Sequence, residues 1–509
     1  MTTKHFTKKT NSSDDFFKLN PLVAGIRVVI AGGLFVGSGM VKVNADPLPV
    51  PVIAGPTITD GSAARGNATM AINGTQQTIT QTTKTAVIDW KSFNIDKGYG
   101  VNFVQPSATS SALNNIHDAN ATQIMGTLTA NGQIYLVNNN GFIFGKDSTV
   151  DANTLVASAL NISDANFNGG IIRTFDNNPN TPTAALSGGA ESNAAIVVEA
   201  GAKIHIGQKG TAILAAPTVN NSGSVTADQN GQILLVASED KVYLQPASSA
   251  SPFAGLLVEV ASGGKVNNNA GANVAVREGN ITLAGFAVNQ SGRLSATTSV
   301  DTNGSIRLLA REKAIADPST LALTASQTVR DEGMETEQSG VVTFGSGSTT
   351  SILADVNGGS AIDEQSQKIS TIEVNANKID LQSGSTIQAT SGQVNLTASN
   401  SVDMPGAQFT GTSGRINLEE GAKIDVSGST NTSVPMSRNE ASVSVQSFNL
   451  RNAPYQLGGV LQGKTVQVDV RNLPTVVDAS TASASLSRGI NERLSKGGLL
   501  IWFPVVIPS

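Results

Sequence analysis

A five-residue pattern runs through the chain: glycine, a free position, Ile or Val, a second free position, Leu. It stands at Gly132-Gln133-Ile134-Tyr135-Leu136, Gly231-Gln232-Ile233-Leu234-Leu235, Gly279-Asn280-Ile281-Thr282-Leu283 and Gly304-Ser305-Ile306-Arg307-Leu308. Later copies are Gly392-Gln393-Val394-Asn395-Leu396 and Gly414-Arg415-Ile416-Asn417-Leu418. Apolar residues two apart share one face of a strand, because successive side chains of an extended chain point to opposite sides. The leading glycine marks a tight corner. A second phrase, Gly-Ala-Lys-Ile, opens strands at Gly201–Ile206 and Gly421–Val426. Neighbouring copies, such as Gly210 and Gly231 or Gly279 and Gly304, are about 20–25 residues apart, the period of a solenoid.

No 3.6-residue stripe accompanies the strand phrases, and the spacers are too short for a helix with two turns, which argues against leucine-rich repeats. The pattern predicts an all-β chain, a right-handed parallel β-helix with an N-terminal cap, in which each coil lays short strands about 4.8 Å from the coil before. The stretch from 46 to about 480 has room for about 20 coils at this spacing. Asn138-Asn139-Asn140, Asn220-Asn221-Ser222 and Asn267-Asn268-Asn269 are expected at corners, where asparagine tolerates the left-handed conformation. Stacked amides there can form ladders. The competing prediction is an antiparallel sandwich, with hairpin turns at the Asn-Gly pairs beginning at 73, 131, 140, 168, 230, 303 and 357.

The amino terminus has a basic leader, Lys4, Lys8, Lys9 and Lys18, and then an apolar run from Leu22 to Val41 broken by Arg27. Val43-Asn44-Ala45 fits the small-x-small rule, so residues 1–45 read as a signal peptide cleaved between Ala45 and Asp46. A membrane anchor is the alternative, but Arg27 cuts the run below the roughly 20 apolar residues of a span. Residues 311–340 gather Arg311-Glu312-Lys313, Arg330-Asp331-Glu332 and Glu335 in a charge-poor chain, and read as a solvated loop outside the coils. A second β-helix stretch is expected over 341–480, with an irregular part at Met436–Gly458. Residues 481–509 read as irregular. The tail Leu499–Ser509 has two prolines and no Asn or Gly corner, so the chain is expected to be a truncated or frame-shifted reading of a longer protein.

Composition narrows the functional classes. The 509 residues carry a net charge of -5, so no basic excess exists for a nucleic-acid partner. Without cysteine there are no disulfides, thiolate metal sites or thiol nucleophiles. His5, His117 and His205 are far apart and read as surface residues, and the Gly/Asp-rich calcium repeat is missing. No metal or cofactor is expected. A polysaccharide-active enzyme on a β-helix needs clustered carboxylates, whereas the densest groups here, Glu239-Asp240 and Glu419-Glu420, lie beside strand phrases with no partnering motif. That enzyme is the alternative reading; the expectation is that the chain is not an enzyme.

Residues 87–170 resemble the secretion domain of two-partner-secreted proteins, the filamentous haemagglutinin family of Gram-negative bacteria. The matching words are Ile88-Asp89-Trp90-Lys91-Ser92-Phe93-Asn94-Ile95, Val101-Asn102-Phe103-Val104-Gln105-Pro106, Leu113-Asn114-Asn115-Ile116 and Ile124-Met125-Gly126-Thr127-Leu128-Thr129-Ala130-Asn131-Gly132. The most specific is Leu136-Val137-Asn138-Asn139-Asn140-Gly141-Phe142-Ile143-Phe144-Gly145, followed by Leu155-Val156-Ala157-Ser158-Ala159-Leu160-Asn161-Ile162 and Asp164-Ala165-Asn166-Phe167. The family usually has Asn-Pro-Asn-Gly where this chain has Asn138-Asn139-Asn140-Gly141. Asparagine can make the same turn without proline's locked φ, and the change bears on which transporter the chain pairs with.

The resemblance implies a secretion domain over 46–175, a shaft over 176–310, and a haemagglutinin or adhesin-type exoprotein at the bacterial surface or outside the cell. It implies an outer-membrane β-barrel transporter with periplasmic docking domains as partner, then a host-cell carbohydrate or protein receptor, with the exoprotein as a monomer. Asn138, Asn139, Asn140, Gly141 and Phe142 are its recognition residues. Trp90, Phe93, Phe103, Phe144 and Phe167 are expected to plug the first coils, whose end would otherwise expose an open edge. The alternative within the family is the N-terminal part of a toxin or haem-acquisition protein.

Overall fold

The computed structural model describes residues 47–171, 183–247, 255–299, 303–310, 315–317, 322–324, 340–355, 369–398, 414–428, 440–444 and 464–469. The expected signal peptide and its expected cleavage site at Ala45 and Asp46 lie outside the described residues, as do most of 311–340 and all of 481–509.

Each full coil contributes three strands, each paired in parallel with its counterpart one coil away, and the first coil contributes two strands and a single bridge, Ile95 to Ile124. The first sheet stacks Gln76–Gln81, Gly100–Val104, the start of Thr127–Val137, the start of Thr149–Ser158, Lys203–Ile206 and Ser224–Ala227. It continues through Asn273–Val276, Arg293–Thr298, Thr349–Ala354, Thr386–Ala389 and Lys423–Asp425. The second sheet stacks Thr85–Ser92, Ser111–Ile116, the two long strands' C-terminal halves, Thr211–Ala216 and Gln232–Ala237. Asn280–Gly285, Ser305–Ala310, Thr371–Ala376 and Gln393–Ala398 complete it. The third runs from Thr122–Ile124 and Gly141–Phe144 through Ala195–Val198 to Arg415–Leu418. The parallel β-helix is therefore the fold.

The first four strand phrases place their apolar residues inside, as the period of two requires, whereas Val394 and Leu396 are partly buried and Ile416 and Leu418 are exposed. Ile134 and Leu136, Ile233 and Leu235, Ile281 and Leu283, and Ile306 and Leu308 all fall in one buried core. The phrase does not choose the sheet, however. Five copies head strands of the second sheet, whereas Gly414–Leu418 belongs to the third. The leading glycine has a packing cause. A Cβ on Gly279 would collide with the carbonyl oxygen of Gly231 one coil away, the same oxygen that accepts the Asn280 N–H at 3.1 Å. Of the Asn-Gly pairs, Asn73-Gly74 does make a hairpin, between Ala68–Asn73 and Gln76–Gln81. This antiparallel pair covers the first coil, and Val50–Pro51 runs antiparallel to Thr85–Ser92 beside it.

Asn138-Asn139-Asn140 stands at a corner as expected, whereas the runs at Asn220 and Asn267 enter third-sheet strands. None of their residues has positive φ; the left-handed corner before a phrase glycine is taken by Lys209, Asn230, Glu278 and Ser391. Asn221, Asn268 and Gln290 instead lie in third-sheet strands and point inward, fully buried. There Asn221 Nδ2 donates to Asn268 Oδ1 at 2.8 Å, and Asn268 Nδ2 donates to Gln290 Oε1 at 2.7 Å. An outer ladder runs beside it, with Asn267 donating to Asn220 at 2.6 Å and Asn289 to Asn267 at 2.7 Å. The amide ladders form because each amide meets its own kind in register one coil away, which satisfies buried donors that would otherwise be costly.

The second sheet is buried on both sides over its first coils. Its outward column reads Val87, Leu113, Tyr135, Val156, Ile213 and Leu234, and then turns polar at Thr282, Arg307, Glu373 and Asn395. The apolar part packs under a second buried cluster that includes Phe167, Leu186, Val242, Leu244 and Val258. These residues come from excursions that leave the coil after the second sheet and rejoin it at the third. The first holds the helix Asp164–Gly169, capped by Ser163, whose Oγ accepts the Asn166 N–H. Leu186–Ser187, Lys241–Pro246 and Leu256–Val260 then form an antiparallel three-stranded sheet. Excursions consume chain, so the described residues make well fewer coils than the spacing alone allows. Ile315–Asp317 and Ala322–Thr324, within the expected charged loop, form a small antiparallel pair. So do Glu440–Ser444 and Thr465–Asp469.

Candidate functional site

Asn138 ends the longest strand of the second sheet, and the chain must turn there to enter the third. The turn closes through the Gly141 N–H on the Asn138 carbonyl (2.8 Å) and the Asn140 N–H on Asn138 Oδ1 (3.0 Å). Asn138 is buried, and its Nδ2 donates to the Asn120 carbonyl and Thr122 Oγ1, both at 2.9 Å. Asn140 Nδ2 reaches the Asp118 carbonyl at 2.9 Å. Both amides thus tie this corner to the preceding loop. Asn139 reaches the other way, donating to the Ala159 carbonyl (2.7 Å) and Asn161 Oδ1 (3.0 Å) at the mouth of the first excursion. It occupies the second position of the turn, where proline is favoured, and the exchange of proline for asparagine adds these two contacts. Gly141 has φ +91°, and a Cβ there would collide with the Ala195 carbonyl. In the folded chain every side-chain amide of the motif is spent on a neighbouring segment. Phe142 points into the core.

The aromatic residues divide. Trp90, Phe93, Phe103, Phe142 and Phe144 are fully buried inside the first coils. Trp90 meets Phe93 edge-on at 5.1 Å, and Phe93 stacks with Phe103 at 6.4 Å. The Trp90 indole N–H donates to Asn114 Oδ1 at 2.9 Å, so the polar end of the ring is satisfied within the core. Phe167 differs from the expectation. It sits outside the coil, on the helix of the first excursion, edge-on to Tyr135 at 5.2 Å. Burial pushes the Tyr135 phenol up to about 12.

Two further features of these coils join motif residues to others outside the motifs. Gln105 Nε2 donates to Gln81 Oε1 (3.0 Å), and Gln105 exchanges hydrogen bonds with Asn131 through its main chain (2.7 and 2.8 Å). Arg65, in the cap, pairs with Asp60, with Asp89 of the first second-sheet strand and with Asp164 of the excursion helix. His117 lies 3.2 Å from Asp89, and His205 lies between Asp151 and Asp228. Glu419 accepts the Ser383 N–H at 3.0 Å, a contact between coils. Among the described residues no group of His, Asp or Glu is arranged to hold a metal ion, and no helix is long and apolar enough to cross a membrane.

Comparison with known proteins decides the family. The model of the TPS secretion domain matches residues 56–316, from the cap through the covering sheet. The chain belongs to the TPS secretion domain family. It is an exoprotein of the two-partner route, carried across the outer membrane of Gram-negative bacteria to the surface or the medium. It is 33% identical over 238 residues to a heme/hemopexin-binding protein of Haemophilus influenzae strain Rd, covering 46% of this chain and 24% of the relative. A second heme/hemopexin-binding protein of that species is 40% identical over 87 residues, covering 17% of this chain and 9% of the relative. The chain thus spans about a quarter or less of the relatives it matches. The HMW1 secretion domain from Haemophilus influenzae is similar at 23% identity and a TM-score of 0.48, covering 72% of this chain and 82% of that one. The TPS match extends well past residue 175, across the stretch expected to be shaft.

Proposed function

We propose that the capped first coils are the export determinant of an adhesin-type exoprotein, read in the periplasm by the docking domains of a dedicated outer-membrane β-barrel transporter. The observation that carries this reading is the asparagine corner inside the TPS match: Asn138, Asn139 and Asn140 spend their amides on Asn120, Thr122, Asp118, Ala159 and Asn161 once folded. The same donors cannot serve a transporter and the fold at once. The transporter therefore reads an extended segment, by strand addition with side-chain contacts, and gives it up as the coil closes outside. Stacking of each new coil on the last then biases movement outward, since solenoid stability comes from nearest-neighbour interfaces. The downstream coils present the surface that meets a host carbohydrate or protein.

The test is extracellular yield in a Gram-negative host with and without the partner transporter. Export should require the transporter and fall on Asn138→Asp with Asn140→Asp, while Asn139→Pro, which restores the family's turn, should keep it. Equal yield without the transporter would sink the reading. A second reading, capture of haem or hemopexin, is favoured by the likeness to the two heme/hemopexin-binding proteins. Retention of the purified protein on immobilised hemin or hemopexin, measured against bovine albumin, decides it.

A further inference from the structure

His205 stands on the outer side of the first sheet, in register with Asp151 of the strand before it and Thr226 of the strand after. Its Nδ1 lies 3.0 Å from Asp151 Oδ1 and its Nε2 3.3 Å from Asp228 Oδ1. The two carboxylates belong to different coils on either side of the one that carries the ring. A carboxylate only accepts, so both contacts are hydrogen bonds only when both ring nitrogens carry protons; a neutral imidazole can donate to one of them and faces the other with a lone pair.

We propose that His205 is a proton-operated clamp across three successive coils of the secretion domain. Protonated, it bridges Asp151 and Asp228; neutral, it lets one of them go. The charged groups around it are few. Lys203 stands two residues before it on the same strand, with Thr149 and Ser224 in register on either side. Beyond Asp228, Arg277 carries the line of charge on to Asp355 at 2.5 Å. The carboxylate contacts raise the His205 pKa, the Asp151 hydrogen bond most, against the opposing effect of partial burial. The sign follows. A raised pKa means that the clamp is fully present below the ordinary histidine range and is released as pH climbs through the folded-state value. The clamp spans the part of the chain that the TPS match covers, yet it does not depend on how that part is exported.

The experiment uses the full chain with its histidines labelled at the ring Cε1 carbon. The chain has three histidines, so loss of one resonance in His205→Asn assigns the clamp. The expected result is a His205 titration midpoint above the ordinary histidine value in the unaltered chain, shifted downward in Asp151→Asn and further in Asp151→Asn with Asp228→Asn. In parallel, intrinsic-rate-corrected hydrogen exchange of amides 203–206 should quicken as pH rises through that midpoint, and His205→Asn should abolish the pH dependence. A midpoint at or below the ordinary value, or a midpoint indifferent to both aspartates, overturns the proposal. Should the aspartate variants not fold, the titration and exchange of the unaltered chain decide alone.

Discussion

Leu234 is the residue on which the two-sided burial of the second sheet can be tested most directly. In the five-residue phrase it occupies a free position, pointing away from the Ile233 and Leu235 that fill the core. A bare solenoid would leave it in water, and truncation to alanine would then change stability by less than about 0.5 kcal/mol. In the structure it is 1% exposed, in the cluster formed with Val242, Leu244 and Val258 of the covering sheet. Full burial of a leucine side chain stabilises by about 1.5–3 kcal/mol, and Leu→Ala at buried sites costs about 2–5 kcal/mol once the cavity is included. The cover is three short antiparallel strands, freer to sink toward a gap than the coils beneath. Leu234→Ala is therefore expected near the lower end, about 2–3 kcal/mol, and Leu235→Ala near about 3–5 kcal/mol. Urea unfolding followed by circular dichroism gives the values, and hydrogen exchange of 241–246 shows whether the cover loosens. A Leu234→Ala protein within about 0.5 kcal/mol of the parent, with exchange at 241–246 unchanged, would refute the reasoning.

Three more expectations follow from the same structure. Gly279→Ala should destabilise by about 1–3 kcal/mol through overpacking, since the new methyl meets the fixed Gly231 carbonyl, and thermal melts will show it. Asn268→Leu should cost about 2–4 kcal/mol, because it orphans the buried Nδ2 of Asn221 and Oε1 of Gln290 together, whereas Asn267→Leu in the outer ladder should cost less. Tyr135, with a phenol pushed up to about 12, makes stability independent of this group below about pH 10 and lowers it between about 10 and 12, where only the unfolded chain ionises freely. Ultraviolet titration should lose its latest tyrosinate in Tyr135→Phe, while Tyr243, also raised by burial, keeps its own.

The strand phrases made the fold legible because the period of two survives whatever the corners do. Ile233, Leu235, Ile281 and Leu283 need no knowledge of their neighbours to be placed inside. The covering sheet was written in the same phrases but at the free positions: Tyr135 and Leu234 are apolar where Thr282, Arg307 and Asn395 are not. That change marks where this column leaves the second cluster, which runs on through Ala284 and Leu309 in the neighbouring outward column. The place of Phe167 is not legible for the same reason, since composition cannot tell the inside of a coil from the underside of an excursion. The asparagine corner was visible as a motif, but its partners Asn120, Asp118 and Asn161 lie up to 22 residues away and meet it only after the coil closes. His205 had no motif at all. Asp228 is one plain coil away, 23 residues, but Asp151 is 54 residues distant and is brought alongside by the first excursion, whose length no pattern announces.

The described excursions with the helix and the covering strands depart from the turn between the second and third sheets, and coils resume afterwards in unbroken register. That turn works as a socket: extra sequence can be plugged in without disturbing the stack, because the rungs above and below never pass through it. A foreign peptide grafted between Ser238 and Gly263, which already form a bridge across the neck of one such departure, would be carried outward on a rigid stem, so the scaffold offers a ready means of displaying epitopes on a bacterial surface.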